Sequence, residues 1–73
     1  MSSTKDRIIE IRESRNLSAA EFSRQLGISH PTLIKWEKGT ALPNGQSLIK
    51  LFQVFGSNPD YVLLGIGKDE KRQ

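Results

Sequence analysis

In the stretch Ser29 to Lys38, SHPTLIKWEK, Leu33 and Trp36 stand three apart and can turn together toward a core. That sets His30, Pro31, Ile34, Lys35 and Lys38 on the other side of a helix, a side that is cationic, hydrogen-bonding and apolar at once. A helix fits the major groove of B-form DNA. There a lysine can donate to guanine O6 and N7, a histidine can bond a base edge or a phosphate, and apolar groups can meet the thymine methyl. On this reading His30, Pro31, Ile34 and Lys35 face bases, with Pro31 and Ile34 supplying methylene and methyl contacts and Lys35 the guanine preference. A purely structural alternative stands beside it, in which Ile34 is partly buried at a helix junction and Pro31 merely starts the helix.

Phosphate oxygens would be met elsewhere. Free N–H groups and the positive end of a helix dipole suit an anion, and such ends are set up by Ser18 and Ala19 at one helix start and by Asn44 and Gly45 at another. Gly45 would let backbone and phosphate come close. Ser29 and Thr32 in the first turn of the reading helix, with Lys38 and Thr40 at its end, complete the candidate phosphate contacts. Serine and asparagine caps also form in helices that bind nothing.

The elements that must position these residues are marked by their turns. Ser18, with Glu21 three positions on, has the form of a capping box and opens a helix in which Ala20, Phe22, Ser23 and Leu26 lie near one face. Gly27 ends it. Ser29 caps the next helix, Pro31 is tolerated in a first turn whose N–H groups have no intrahelical partner, and Gly39 supplies the left-handed stop. Helix, short turn, helix: residues 17–39 read as a helix-turn-helix.

Around this motif a first helix is expected over about Lys5 to Arg15, with Ile8, Ile11 and Arg12 on one side and Asn16 at a left-handed exit. A fourth is expected over about Gly45 to Phe55, capped by Asn44 and closed by Gly56, with Leu48, Leu51, Phe52 and Phe55 as its apolar stripe. A short fifth, Pro59 to Leu64, follows the cap Asn58 and stops at Gly65. Every stretch between turns carries a period of about 3.6 residues and none alternates with period two, so the fold class is all-α, a compact five-helix domain. Its core should draw on Ile8, Ile11, Leu17, Ala20, Phe22, Leu26, Ile28, Leu33 and Trp36, joined by Leu48, Leu51, Phe52, Phe55, Val62 and Leu64. Residues 1–65 make the expected domain, and residues 66–73, ending KDEKRQ, an expected frayed tail or linker with little apolar area to bury.

Seventy-three residues allow one domain, whose core alone stabilises by roughly 3 to 5 kcal/mol. With no cysteine and one histidine, neither a disulfide framework nor a thiolate or histidine metal site is expected, and a reducing cytoplasmic setting fits. The N-terminus MSSTKDRIIE is charged, and the longest apolar run, Tyr61 to Leu64, is too short for a signal core or a membrane span. The net charge of +3 is modest, but residues 22–59 hold Arg24, Lys35, Lys38 and Lys50 against the single acid Glu37, while the flanks cancel at seven basic and seven acidic residues. The positive field is concentrated in the middle segment.

The pattern R-x-x-x-L-S-x-x-E-F-x-x-x-L-G-I-S-x-x-T-L-x-x-W-E-x-G, followed by P-N-G-x-x-L-x-x-L and P-D-Y-x-L-x-G, resembles the lambdoid phage repressor and Cro class of helix-turn-helix domains over about residues 7 to 65. The resemblance implies a five-helix domain that binds operator DNA as a symmetric dimer and regulates transcription. It also implies a structural ion pair between Arg12 of the first helix and Glu37 at the end of the recognition helix, which would neutralise the one acid of the basic segment internally. Two positions depart from the class. Where it places a phosphate-clamping glutamine after the second-helix cap, this chain has Ala19, and where relatives carry polar amides on the recognition face, it has Pro31 and Ile34.

The leading expectation is thus a sequence-specific double-stranded-DNA-binding regulator, homodimeric on its operator and weakly associated or monomeric when free, with no cofactor, small-molecule ligand or membrane partner. The alternative is an antitoxin-like protein-interaction module that also occupies its own promoter. Catalysis is the weakest class, because His30 has no carboxylate pair, nucleophilic cysteine or glycine-rich phosphate loop beside it. For the dimer surface, the run Tyr61 to Leu64 is more apolar than one side of a short helix can bury, which points to Phe55, Ser57, Asn58 and Leu63. The competing reading is that this segment closes the monomer core.

Overall fold

The computed structural model describes residues 3–67 and 69. Five helices follow one another: α1 (Thr4–Glu13), α2 (Ala19–Leu26), α3 (His30–Lys38), α4 (Gly45–Phe55) and α5 (Pro59–Leu64). Each begins where a side chain can satisfy free backbone N–H groups. Ser18 Oγ accepts from Glu21 N–H, Ser29 Oγ from Thr32 N–H, Asn44 Oδ1 from Ser47 N–H and Asn58 Oδ1 from Asp60 N–H. Asn16, at φ 57°, makes the left-handed exit expected after α1.

The helices enclose one core, to which α1 gives Ile8 and Ile11, α2 Phe22 and Leu26, α3 Leu33 and Trp36, α4 Leu51 and Phe55, and α5 Val62. The Phe22 and Phe55 rings stack with centroids 4.8 Å apart and planes within 8°. Full burial of side chains of this size stabilises by about 1.5–3 kcal/mol each, so the stack joins α2 to α4 under the recognition helix.

Several expectations are corrected. The first helix spans Thr4–Glu13 rather than reaching Arg15, whose guanidinium instead bonds Ile11 O and Phe55 O, each at 2.8 Å. Ala19 packs against the core while Ala20 faces solvent, because residues 19, 22, 23 and 26 are the ones that share an edge at helical spacing. The Ser18 capping box is half made, since the Glu21 carboxylate turns to Arg24 and Gln25. Phe52 is 47% and Leu64 67% exposed: each lies a step of about 100° or 200° around its helix from the buried Leu51 or Val62. Residues 66–69 are not a free tail, for Ile66 N–H donates to Asp60 O at 3.3 Å and Asp69 bonds both Arg15 and Ser57. Lys68 and residues 70–73 of the expected tail lie outside the described residues.

Candidate nucleic-acid interface

Helix α3 owes its position to both ends and to one ion pair. Its N-terminus is fixed by Ser29, whose hydroxyl also meets Thr32 Oγ1 at 2.8 Å. Its C-terminus closes at Gly39, φ 81°, a conformation that side chains with a Cβ rarely adopt, and the Thr40 N–H and hydroxyl both donate to Lys35 O, at 3.0 and 3.2 Å. Leu33 and Trp36 anchor the inner side.

Arg12 Nε donates to Glu37 Oε2 at 2.7 Å and Nη2 to Oε1 at 3.3 Å, a two-pronged pair, while Nη1 donates to Leu17 O at 3.0 Å. The side chains are 17% and 13% exposed. The hydrogen bond to Glu37 raises the Arg12 pKa above its already high ordinary value against the opposing effect of burial, so the pair is ionised throughout the working range. Its role is geometric: it ties α1 and the α1–α2 turn to the end of α3, and it removes the carboxylate from the field of the neighbouring lysines.

The expected base-facing residues form one surface. His30, Pro31 and Lys35 are exposed and Ile34 is half-buried, so the apolar group of the set is set back between polar neighbours. Of the expected phosphate contacts, Ser18, Ser29, Lys38, Thr40, Asn44 and Gly45 are exposed, and Ala19 and Thr32 are half-buried. Since Ala19 turns its methyl to the core, only backbone groups remain at that helix start for an anion. The Ser18, Ser29 and Asn44 side chains are engaged with their own helices, which leaves the neighbouring N–H groups as the donors of those ends. No protein atom lies within 4 Å of where a Gly45 Cβ would stand, so that surface is open.

Among the expected dimer residues, Phe55 is 6% and Ser57 0% exposed, the latter donating to Asp69 Oδ1 at 2.8 Å. Both are therefore spent inside the monomer, because the bend after α4 folds inward under residues 66–69. Asn58 is exposed and Leu63 half-buried. Sequence reasoning missed Lys5, whose side chain lies over the end of α3: a Cβ built on Gly39 would stand 3.1 Å from Lys5 Cδ. Only the return of α1 against α3 brings these positions together, and no local spacing signals it.

Known proteins share this arrangement. A helix-turn-helix family model matches residues 8–62. The chain is 48% identical over 50 residues to antitoxin HigA-2 of Vibrio cholerae, covering 66% of this chain and 48% of that protein. It is 31% identical over 68 residues to the HTH-type transcriptional regulator DicA of Escherichia coli, covering 93% and 48%. The chain thus spans about half the length of these curated relatives. Among solved structures, the P22 c2 repressor in complex with synthetic operator 9T superposes with a TM-score of 0.82 at 28% identity, over 89% of this chain and 98% of that one.

Proposed function

The chain belongs to the helix-turn-helix family, and from that premise we propose that it is a sequence-specific double-stranded-DNA-binding transcriptional regulator of repressor or Cro type, gripping an inverted-repeat operator as a dimer. The observation that carries this reading is the outer surface of α3, where His30, Pro31 and Lys35 are exposed around a set-back Ile34 on a helix held at both ends and by Arg12 and Glu37. That surface offers one charged donor, one imidazole and two apolar groups in the width of a major groove. The P22 c2 repressor neighbour was solved on an operator, which supports the same use of the fold.

Lys35 donates to guanine, and Pro31 and Ile34 meet thymine methyls beside it. Lys38, Thr40, and the backbone N–H groups at the starts of α2 and α4 hold phosphates on either side and set register without reading sequence. A gel shift against random duplex at low and high salt tests the class: binding that weakens steeply with salt is expected of a DNA-binding protein. Salt-insensitive failure to shift any duplex would refute it. A second reading, an antitoxin-like module that occupies a protein partner as well as its promoter, is favoured by the 48% identity to antitoxin HigA-2 and by the exposed Ile49 and Phe52 of α4.

A further inference from the structure

The Lys5 side chain does not wave free at the surface. Its methylenes lie against the backbone of Gly39, with Cδ 3.1 Å and Cβ and Cγ 3.9 Å from where a Cβ at Gly39 would stand. Beyond that contact Lys5 and Lys38 line one open groove of about 360 Å³, together with Ser3, Thr4, Gly39 and Leu42. Neither ammonium has a carboxylate partner among the described residues. The two acids that could have supplied one are occupied: Glu37 is held by Arg12, and the Asp6 carboxylate accepts from the Ser3 N–H and hydroxyl at 3.2 and 3.1 Å. Two like charges beside one groove with no counter-ion repel each other and gain from an anion placed between them.

We propose that this groove holds a backbone phosphate of duplex DNA, with Lys5 of α1 and Lys38 of α3 as its two cationic walls. The proposal rests on the DNA-binding reading above and extends the bound surface past the end of α3 onto the start of α1. The groove adjoins Thr40, already a candidate phosphate contact, so the sugar-phosphate chain can run from one to the other without leaving the surface. Leu42, 65% exposed on the same wall, offers an apolar face to a deoxyribose. Because packing on Gly39 limits where the Lys5 stem can go, less rotamer freedom is lost when its charge meets the phosphate.

The test is a salt series by fluorescence anisotropy on two duplexes, one bearing the selected operator and one of unrelated sequence. Lys5→Gln keeps methylenes over Gly39 and removes the charge. It is expected to flatten the plot of log affinity against log salt by about 0.9 on both duplexes, the signature of one lost phosphate contact, and to weaken both several-fold by the same factor. Lys5→Arg, which keeps the charge, is expected to retain the wild-type slope, and the double variant Lys5→Gln with Lys38→Ala to flatten it by about twice as much. A Lys5→Gln protein with the wild-type slope and affinity, while Lys38→Ala alone shows the loss, overturns the groove proposal and leaves the DNA reading standing. Wild-type protein that binds neither duplex overturns the DNA reading itself.

Discussion

Lys35 and Lys38 sit one helical turn apart on α3, and the roles assigned to them differ in kind. Lys35→Ala should cost roughly 1–3 kcal/mol on the operator and relax preference at one base pair, whereas Lys38→Ala should weaken all sequences alike. Anisotropy titrations on operator and mismatched duplexes separate the two. Away from the interface, the Tyr61 hydroxyl donates to Glu10, and that bond, with some burial, pushes its pKa from 10.0 up to about 12. The folded state thus holds the phenol proton more tightly than the unfolded chain. The stability this contributes is whole below pH 10 and is lost as pH rises toward 12. Urea midpoints followed across that window should fall more steeply for the wild type than for Tyr61→Phe. Caps such as Ser29 and Asn44 were legible in the sequence because they act over three residues. The Arg12 and Glu37 pair spans 25 positions and was reachable only through a family resemblance, and nothing marked Lys5.

Among the elements, α3 shows how far local pattern carries. Its span, cap, proline and glycine stop all follow from residues within a few positions of one another, so its place in the fold was readable. Which flank of a helix is covered was less so. Ala19 and Ala20 are chemically identical, and only the angle at which α2 meets α3 and α4 decides that Ala19 is inside. Phe52 was assigned to the core from its place in an apolar stripe, yet α4 packs on α2 and α5 through a narrower side centred on Leu51 and Phe55. The two glycines of the motif make a further comparison. Both are left-handed, Gly27 with no atom within 4 Å of a would-be Cβ and Gly39 with Lys5 Cδ at 3.1 Å. Gly27→Ala should therefore cost about 1–2 kcal/mol for the backbone alone, and Gly39→Ala the same amount plus displacement of Lys5. Chemical denaturation of both variants checks the order, and equal losses would contradict it.

At the scale of the whole molecule, residues 66–69 return to the body instead of leaving it. Asp69 bonds the Arg15 guanidinium at 2.9 and 3.1 Å and the Ser57 hydroxyl at 2.8 Å, and Arg15 lies 5.3 Å from the Phe55 ring centre. Composition alone hid this, because a polar segment can dock through one carboxylate without burying apolar area. The same closure withdraws Phe55 and Ser57 from any interface between copies, which concentrates the proposed dimer surface on Asn58, Leu63 and the exposed Leu64. Sedimentation velocity of Leu63→Glu should show weaker self-association than the wild type; an unchanged dimer constant would exclude that residue. Two copies related by a two-fold axis would present their α3 helices to half-sites about 10–10.5 bp apart, centre to centre. Selection of binding sites from a randomised duplex pool tests the central claim most directly. The account predicts enrichment of an inverted repeat with that spacing, a guanine opposite Lys35 and thymines opposite Pro31 and Ile34 in each half. Recovery of sequences with no shared motif would contradict it.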